Sequence, residues 1–235
     1  MLPLTYAGAA NMDHQMIDAA SLSPREAYQL MTDLIAPRPI AWVSSQDRAG
    51  RRNLAPFSYF QAVCSNPPMV SLAFSWRADG TPKDTLRNIL ETREFVVNHC
   101  ARPLAEAMNA SSAEYPAEID EWAELERLGV ATLTPVPSRH VAPPRIGQVA
   151  AALECRLVHA IPLGAGAMQR PSTTLVLGEV IAFQLDPSLL TRDARGRSVA
   201  IDPARLDAIG RLGGMAYTGA RGHFQLPRPK IGSDA

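Results

Sequence analysis

Residues 37–92 read PRPIAWVSSQDRAGRRNLAPFSYFQAVCSNPPMVSLAFSWRADGTPKDTLRNILET. Three strand-like runs follow one another here, separated by links too short to hold a crossover helix, so the strands must pair antiparallel. Ile40 to Ser45 is the first run, with Ile40, Trp42 and Ser44 on one face and Ala41, Val43 and Ser45 on the other. A turn around Asp47 and Gly50 carries three arginines, and Leu54 to Val63 is the second run. Pro56 inside it predicts an edge strand or a bulge, because proline cannot donate to a ladder. After Pro67-Pro68, Met69 to Trp76 sets bulky Val70, Leu72, Phe74 and Trp76 against small Ser71, Ala73 and Ser75. The small face is open enough for a flat ring to approach. A loop, Asp79-Gly80-Thr81-Pro82, leads into a helix from Lys83 to Thr92 with Leu86, Ile89 and Leu90 inward.

Working outward, residues 1–20 show no firm period and read as an arm. Ser23-Pro24-Arg25-Glu26 is a helix start, with Ser23 as cap, Pro24 in the first turn and Glu26 placed for a capping box. That helix should reach about Asp33, with Ala27, Leu30, Met31 and Leu34 on one face, before Pro37 and Pro39 stop it. Phe95 to Asn98 is a fourth strand. Residues 103–130 form two helical pieces broken near Ser111, Ser112 and Pro116, and Glu121 to Leu128 reads as a solvated charged face. Four prolines make 134–148 an irregular crossing. Val149 to His159 and Thr173 to Leu185 are long strands. In the first, Glu154 and Arg156 point away from the core; in the second, Gly178 marks a bulge or a close backbone approach. A polar turn from Asp193 to Arg197, a short helix around Pro203 to Ile209 and a Gly/Pro-rich tail from Arg211 complete the chain. The pattern predicts a mainly β fold with helical appendages, a closed or split antiparallel barrel.

The chain has 235 residues, of which 46% are hydrophobic and 20% charged, enough for a sizeable core in one large domain. Formal net charge is zero, which argues against a general nucleic-acid or acidic-membrane binder, since those need a basic surplus. Three cysteines, Cys64, Cys100 and Cys155, lie far apart without ligand spacing, so we expect reduced, mostly buried thiols. The N-terminus lacks a basic segment followed by a long apolar run, and no apolar stretch reaches membrane length. We expect a soluble cytoplasmic protein.

Two places could seat a ligand. Lys83-Asp84-Thr85 opens a helix, where free backbone amides and the positive dipole end favour phosphate, although ordinary capping by Thr81 or Asp84 explains the same residues. Asn53 to Ser58, NLAPFS, offers an amide, the small Ala55 and the ladder-breaking Pro56, although a structural bulge explains them equally. Ser44 and Ser45 end the adjacent strand. The five histidines show no metal or catalytic spacing, and no nucleophile elbow or dinucleotide fingerprint occurs. An enzyme of this kind would draw its reactive centre from a cofactor.

PRPIAWVSS, NLAPFSYF, NPPMVSLAF, KDTLRNI and EFVVN, in this order, resemble the flavin reductase-like family with the FMN-binding split-barrel fold. The likeness extends more loosely to Gly178–Val180 and Arg211–Tyr217. It implies a homodimer holding FMN, with Ser44 and Ser45 approaching from the first strand. Asn53, Ala55, Pro56, Phe57 and Ser58 would form the platform, Ser75 would end the third strand, Lys83, Asp84 and Thr85 would lie near the phosphate, and Tyr217 would cover the site. It further implies hydride transfer from NADH or NADPH to flavin, with a monooxygenase as a possible recipient of reduced flavin. A flavoredoxin-like electron carrier and a non-catalytic FMN-binding protein are the alternatives. On this reading 1–36 is an arm and helix, 37–210 the flavin-binding domain, and 211–235 a tail packing on the barrel or on a partner subunit.

Overall fold

The computed structural model describes residues 14–220 together with Phe224, Leu226 and Pro227. Most of the N-terminal arm and of the C-terminal tail lies outside the described residues.

In chain order, helix α1 (Pro24–Leu34) is followed by β1 (Arg38–Pro39), β2 (Ala41–Gln46), β3 (Arg52–Phe57), β4 (Phe60–Ser65) and β5 (Pro68–Ser75). Helix α2 (Asp84–Thr92), β6 (Glu94–His99), α3 (Ala105–Ala110) and α4 (Glu121–Arg127) come next. The short pair β7 (Pro135–Val136) and β8 (Arg145–Ile146) brackets the proline-rich crossing. The long strands β9 (Ala151–Leu163) and β10 (Thr173–Leu185) precede β11 (Leu190–Arg192), β12 (Ser198–Ile201), α5 (Pro203–Leu206), β13 (Ile209–Arg211) and β14 (Tyr217–Gly219).

Seven strands form one antiparallel sheet in the order β3-β2-β6-β9-β10-β5-β4. Its two end strands, β3 and β4, are consecutive in the chain and joined only by Ser58-Tyr59. The ends of the sheet are therefore held side by side while remaining unpaired, which makes a barrel split along one seam. The rings of Phe57 and Phe74 meet edge-on across that seam, with centroids 4.5 Å apart. The expected single strand from Leu54 to Val63 is thus two strands. The break at Ser58-Tyr59 lets one run supply both edges of the sheet, and Pro56 sits on the edge strand that a proline requires.

The alternation in β2 is buried on both faces. Ala41 and Val43 join Val70, Leu72, Phe74, Phe95 and Val176 inside the barrel, closed by Leu86 and Ile89 of α2. Ile40 and Trp42 join Leu54, Met108, Trp122, Leu125 and Ile146 in a second core under α3, α4 and the crossing. Glu154 is fully buried rather than solvent-facing. Its carboxylate accepts from the backbone amides of Arg139 and His140 and from the Gln184 side chain, which pins the crossing to β9. A buried carboxylate with three donors remains charged at little cost, and alternation alone could not disclose those donors.

Two further expectations change at the helices. The capping box of α1 forms as read, between Ser23 and Glu26. Its apolar face packs only in part, however: Ala27 and Leu30 are half-buried, Met31 and Leu34 are exposed, and Thr32 is the buried residue of the helix. In α2, Leu90 is exposed beside the buried Leu86 and Ile89.

Gly178 shows both features its position suggested. The β9–β10 register shifts between Leu177 and Gly178, and a Cβ there would lie 2.5 Å from Cζ of the buried Phe95. Gly178→Ala should therefore destabilise the fold by about 1–3 kcal/mol through overpacking. Urea unfolding would check this: the midpoint should fall while the slope of the transition stays constant.

Candidate functional site

The site is built where the start of α2, the edge strand β3 and the start of α4 converge. Lys83 occupies the N-cap position of α2 with extended backbone and makes no side-chain capping bond. Capping by Thr81 or Asp84 is therefore not what these residues do. Thr81 bonds to Asp79 within its own loop, and Asp84 pairs with Arg77 and Arg87. The helix thus begins with its amides uncapped by any side chain, beside Lys83.

Asn53 on β3 links three elements. Its Nδ2 donates to Glu121 Oε1 at 2.7 Å, and its Oδ1 accepts from Thr85 Oγ1 at 2.6 Å. Ser45 Oγ also donates to Asn53 Oδ1, at 3.4 Å, and accepts from Asn88 Nδ2 at 3.2 Å. Glu121 Oε2 accepts from the backbone amide of Leu54 at 2.9 Å. Asn88 Oδ1 is buried at the end of this chain of bonds with no partner among the described residues.

Glu121 corrects the sequence reading of α4 as a solvated charged face. Asp120 caps the helix by accepting from the Trp122 amide, Trp122 and Leu125 enter the second core, and this turns Glu121 inward. Burial pushes its carboxyl up from the ordinary 4.5 to about 7, against the pull of the Leu54 amide and the Asn53 side chain. The signal lay in Trp122 and the capping Asp120, which together set the helix rotation.

Two cavities open from this convergence and share Pro56, Phe57 and Ser112. The first, of about 60 Å³, is lined by Asn53, Ala55, Arg77, Lys83, Thr85 and Glu121 among others. It is small and half open to solvent. The second, of about 250 Å³, lies on the other side of Pro56-Phe57 and is lined by Arg38, Ser58, Arg211 and Tyr217 among others.

The structure therefore brings Asn53, Ala55, Pro56, Phe57, Lys83, Asp84 and Thr85 around one cavity, and Pro56, Phe57, Ser58 and Tyr217 around the other. Ser44 and Ser45 line neither. Ser44 is buried on the far face, donating to the Pro144 carbonyl and accepting from Asn98, and Ser45 lies beneath Asn53. Ser75 is exposed beside Thr173 of β10, and the small face of β5 lines neither cavity. Besides Glu121, sequence reasoning passed over Arg77, Arg38 and Arg211. Nothing in their spacing distinguished them from surface arginines.

A flavin reductase like domain model matches residues 34–200. The chain belongs to the flavin reductase-like family. A protein of Deinococcus radiodurans without an assigned function is 38% identical over 222 residues, covering 92% of this chain and 91% of that one. The structure of nitrilotriacetate monooxygenase component B from Bacillus cereus superposes with a TM-score of 0.79 at 34% identity, covering 91% of this chain and 98% of that one. A flavin reductase with a split barrel domain from Shewanella frigidimarina shares the fold, with a TM-score of 0.71 at 22% identity over 89% of this chain and 96% of that one. In this flavin reductase-like chain the shared region, 34–200, contains the start of α2, β3 and Glu121, whereas Arg211 and Tyr217 lie beyond it.

Glu121 gives a pH signature. With its carboxyl raised from 4.5 to about 7, the folded chain holds more protons than the unfolded chain in that interval. Its contribution therefore falls as pH rises from 4.5 to 7, by up to about 3 kcal/mol, and is level outside it. Glu121→Gln should lack this limb, so the wild-type-minus-variant difference in unfolding free energy should decline across the window. A difference that stays flat would place the carboxyl's titration elsewhere.

Proposed function

We propose that the protein is an FMN-dependent oxidoreductase that passes hydride from NADH or NADPH to flavin. The observation that carries this reading is the start of α2, which has no side-chain cap and opens with Lys83 and Thr85 onto the smaller cavity. A helix N-terminus with an adjacent lysine suits a phosphate monoester. The donor set fits FMN in a further respect: the apolar Ala55 and Pro56 line the cavity beside those donors, a shelf on which a ring can lie.

In this reading Lys83 and the first amides of α2 bind the phosphate. Arg77 and Arg87 hold the Asp84 carboxylate, which offsets its repulsion of an incoming anion. Thr85 acts through Asn53 rather than on the ligand, because its hydroxyl is already donated. Asn53 holds the shelf in register with α2, and Ala55, Pro56, Phe57 and Ser58 set the plane on which the ring rests. Bound FMN supplies the hydride-accepting centre that the chain's side chains lack. The protein's own contribution is orientation and exclusion of water.

The half-open form of the cavity favours a homodimer in which a second copy completes the ring's surroundings. Similarity to a monooxygenase component B supports delivery of reduced flavin to a separate oxygenase.

Purified protein loaded with FMN should lose its visible flavin absorbance when NADH or NADPH is added without oxygen. Bleaching by dithionite but by neither nucleotide would assign the protein to electron carriage instead. Lys83→Ala should weaken FMN binding by about 1.5–3 kcal/mol, the value of a charge-assisted hydrogen bond. Equilibrium dialysis would measure it, and an unchanged affinity would remove Lys83 from the phosphate site.

A further inference from the structure

The bonds around Asn53 form a directed chain, and one group fixes the direction. Glu121 lines the smaller cavity and is only 6% exposed. In its charged form a carboxylate only accepts. Asn53 must therefore turn Nδ2 towards Glu121 Oε1, which places Oδ1 on the side of α2. Facing an oxygen that only accepts, the Thr85 hydroxyl must give its proton to Asn53. Thr85 lines the cavity at the uncapped start of α2, yet in this direction its donor points away from a ligand there.

The opposite direction keeps the same partners. The Leu54 amide is a fixed donor to Glu121 Oε2, at 2.9 Å, so a proton on this carboxyl sits on Oε1, facing Asn53. That O–H finds its acceptor when the Asn53 carboxamide turns over, which exchanges two atoms of nearly equal size about a broad torsion. Nδ2 then donates to Thr85 Oγ1, and Ser45 Oγ, which donates to Asn53 at 3.4 Å in the charged form, accepts instead. The Thr85 proton is left to point into the cavity.

We propose that Glu121 is a positioning residue for an anion bound at the start of α2: its protonated form reverses the chain and releases the Thr85 hydroxyl to that anion, so that binding takes up a proton from solvent onto Oε1. The anion's identity as the FMN phosphate rests on the flavin reading; the relay does not. Burial holds the Glu121 carboxyl at about 7, so both forms are populated near neutrality. Asp120, beside it on α4, pushes it further up and is itself held by Arg52 of β3. Across the cavity Asp84 is held by Arg77 and Arg87 and Lys83 stands at the helix start, while Glu114 and Tyr115 complete the titratable lining. Among the described residues, Glu121 is the charged group bonded to Asn53.

FMN, riboflavin and sulfate are the probes, titrated into the full chain between about pH 5.5 and about pH 8.5, either side of neutrality. Glu121→Gln copies the protonated form, because its carbonyl accepts from Leu54 and its amide donates to Asn53. Comparison with this variant cancels the titration of the FMN phosphate itself. FMN affinity of the wild type relative to Glu121→Gln should be near equal at the acid end and fall about tenfold at the alkaline end, the loss of one charge-assisted contact. Sulfate, which keeps its charge across this range, should show the same fall, and riboflavin, which lacks the phosphate, should show none. Most of the fall should vanish in Thr85→Val and persist in Thr85→Ser. Parallel wild-type and Glu121→Gln profiles would overturn the proposal. So would an undiminished fall in Thr85→Val, since Glu121 would then act by charge alone, or an equal fall for riboflavin. No FMN uptake at any pH, with the sulfate fall intact, would sink the flavin reading and leave the relay standing.

Discussion

The Glu121 carboxylate, buried against the edge strand, is the constraint on which the site depends. It holds the Asn53 amide and the Leu54 N–H together, and Asn53 in turn receives the Thr85 hydroxyl from the first turn of α2. One carboxylate thereby fixes the relative placement of α4, β3 and α2. Desolvating the carboxylate opposes this arrangement, and the donors it gathers offset only part of that cost. Desolvation wins, which is why its carboxyl is pushed up to about 7. A neutral side chain would avoid the desolvation, but it would not accept from both donors.

A second clasp works at the other end of the same shelf. Arg38 reaches the carbonyls of Thr32 and Ile35 at the end of α1 and that of Leu212 just after β13, and β1 pairs with β13. The helix before the barrel and the strand after it are thus gathered onto one side chain. This explains how α1 holds its place although Met31 and Leu34 stay exposed. The helix is located by hydrogen bonds to a buried charge more than by an apolar stripe.

Legibility in the sequence followed the range of the interaction. Local signals were readable: the Ser23 capping box, the bounds of β10, the helix beginning beside Lys83 and the edge position of Pro56 all come from neighbouring residues. The split at Ser58-Tyr59 was not, because its cause is the closure of a sheet whose ends come from one run. Glu121 and Glu154 were read as solvent-facing because charge and alternation say so; both are buried by partners far away in sequence, Asn53 and Leu54 for one and Arg139, His140 and Gln184 for the other. The same limit applies at the candidate site. Asn53, Ala55, Lys83 and Thr85 at the smaller cavity come from two short motifs, whereas the larger cavity joins Arg38 to Arg211 from opposite ends of the chain.

The seam of the barrel has a consequence for how the protein stays apart from other sheets. An edge strand exposes a row of amides that invites addition of a foreign strand. On β3 the outward positions alternate, and the Leu54 amide points outward to Glu121. Two residues on, the next outward position is Pro56, which has no amide to offer. Along the middle of this edge the donors are thus either absent or already taken, so the barrel can remain open for a ligand without becoming a template for aggregation.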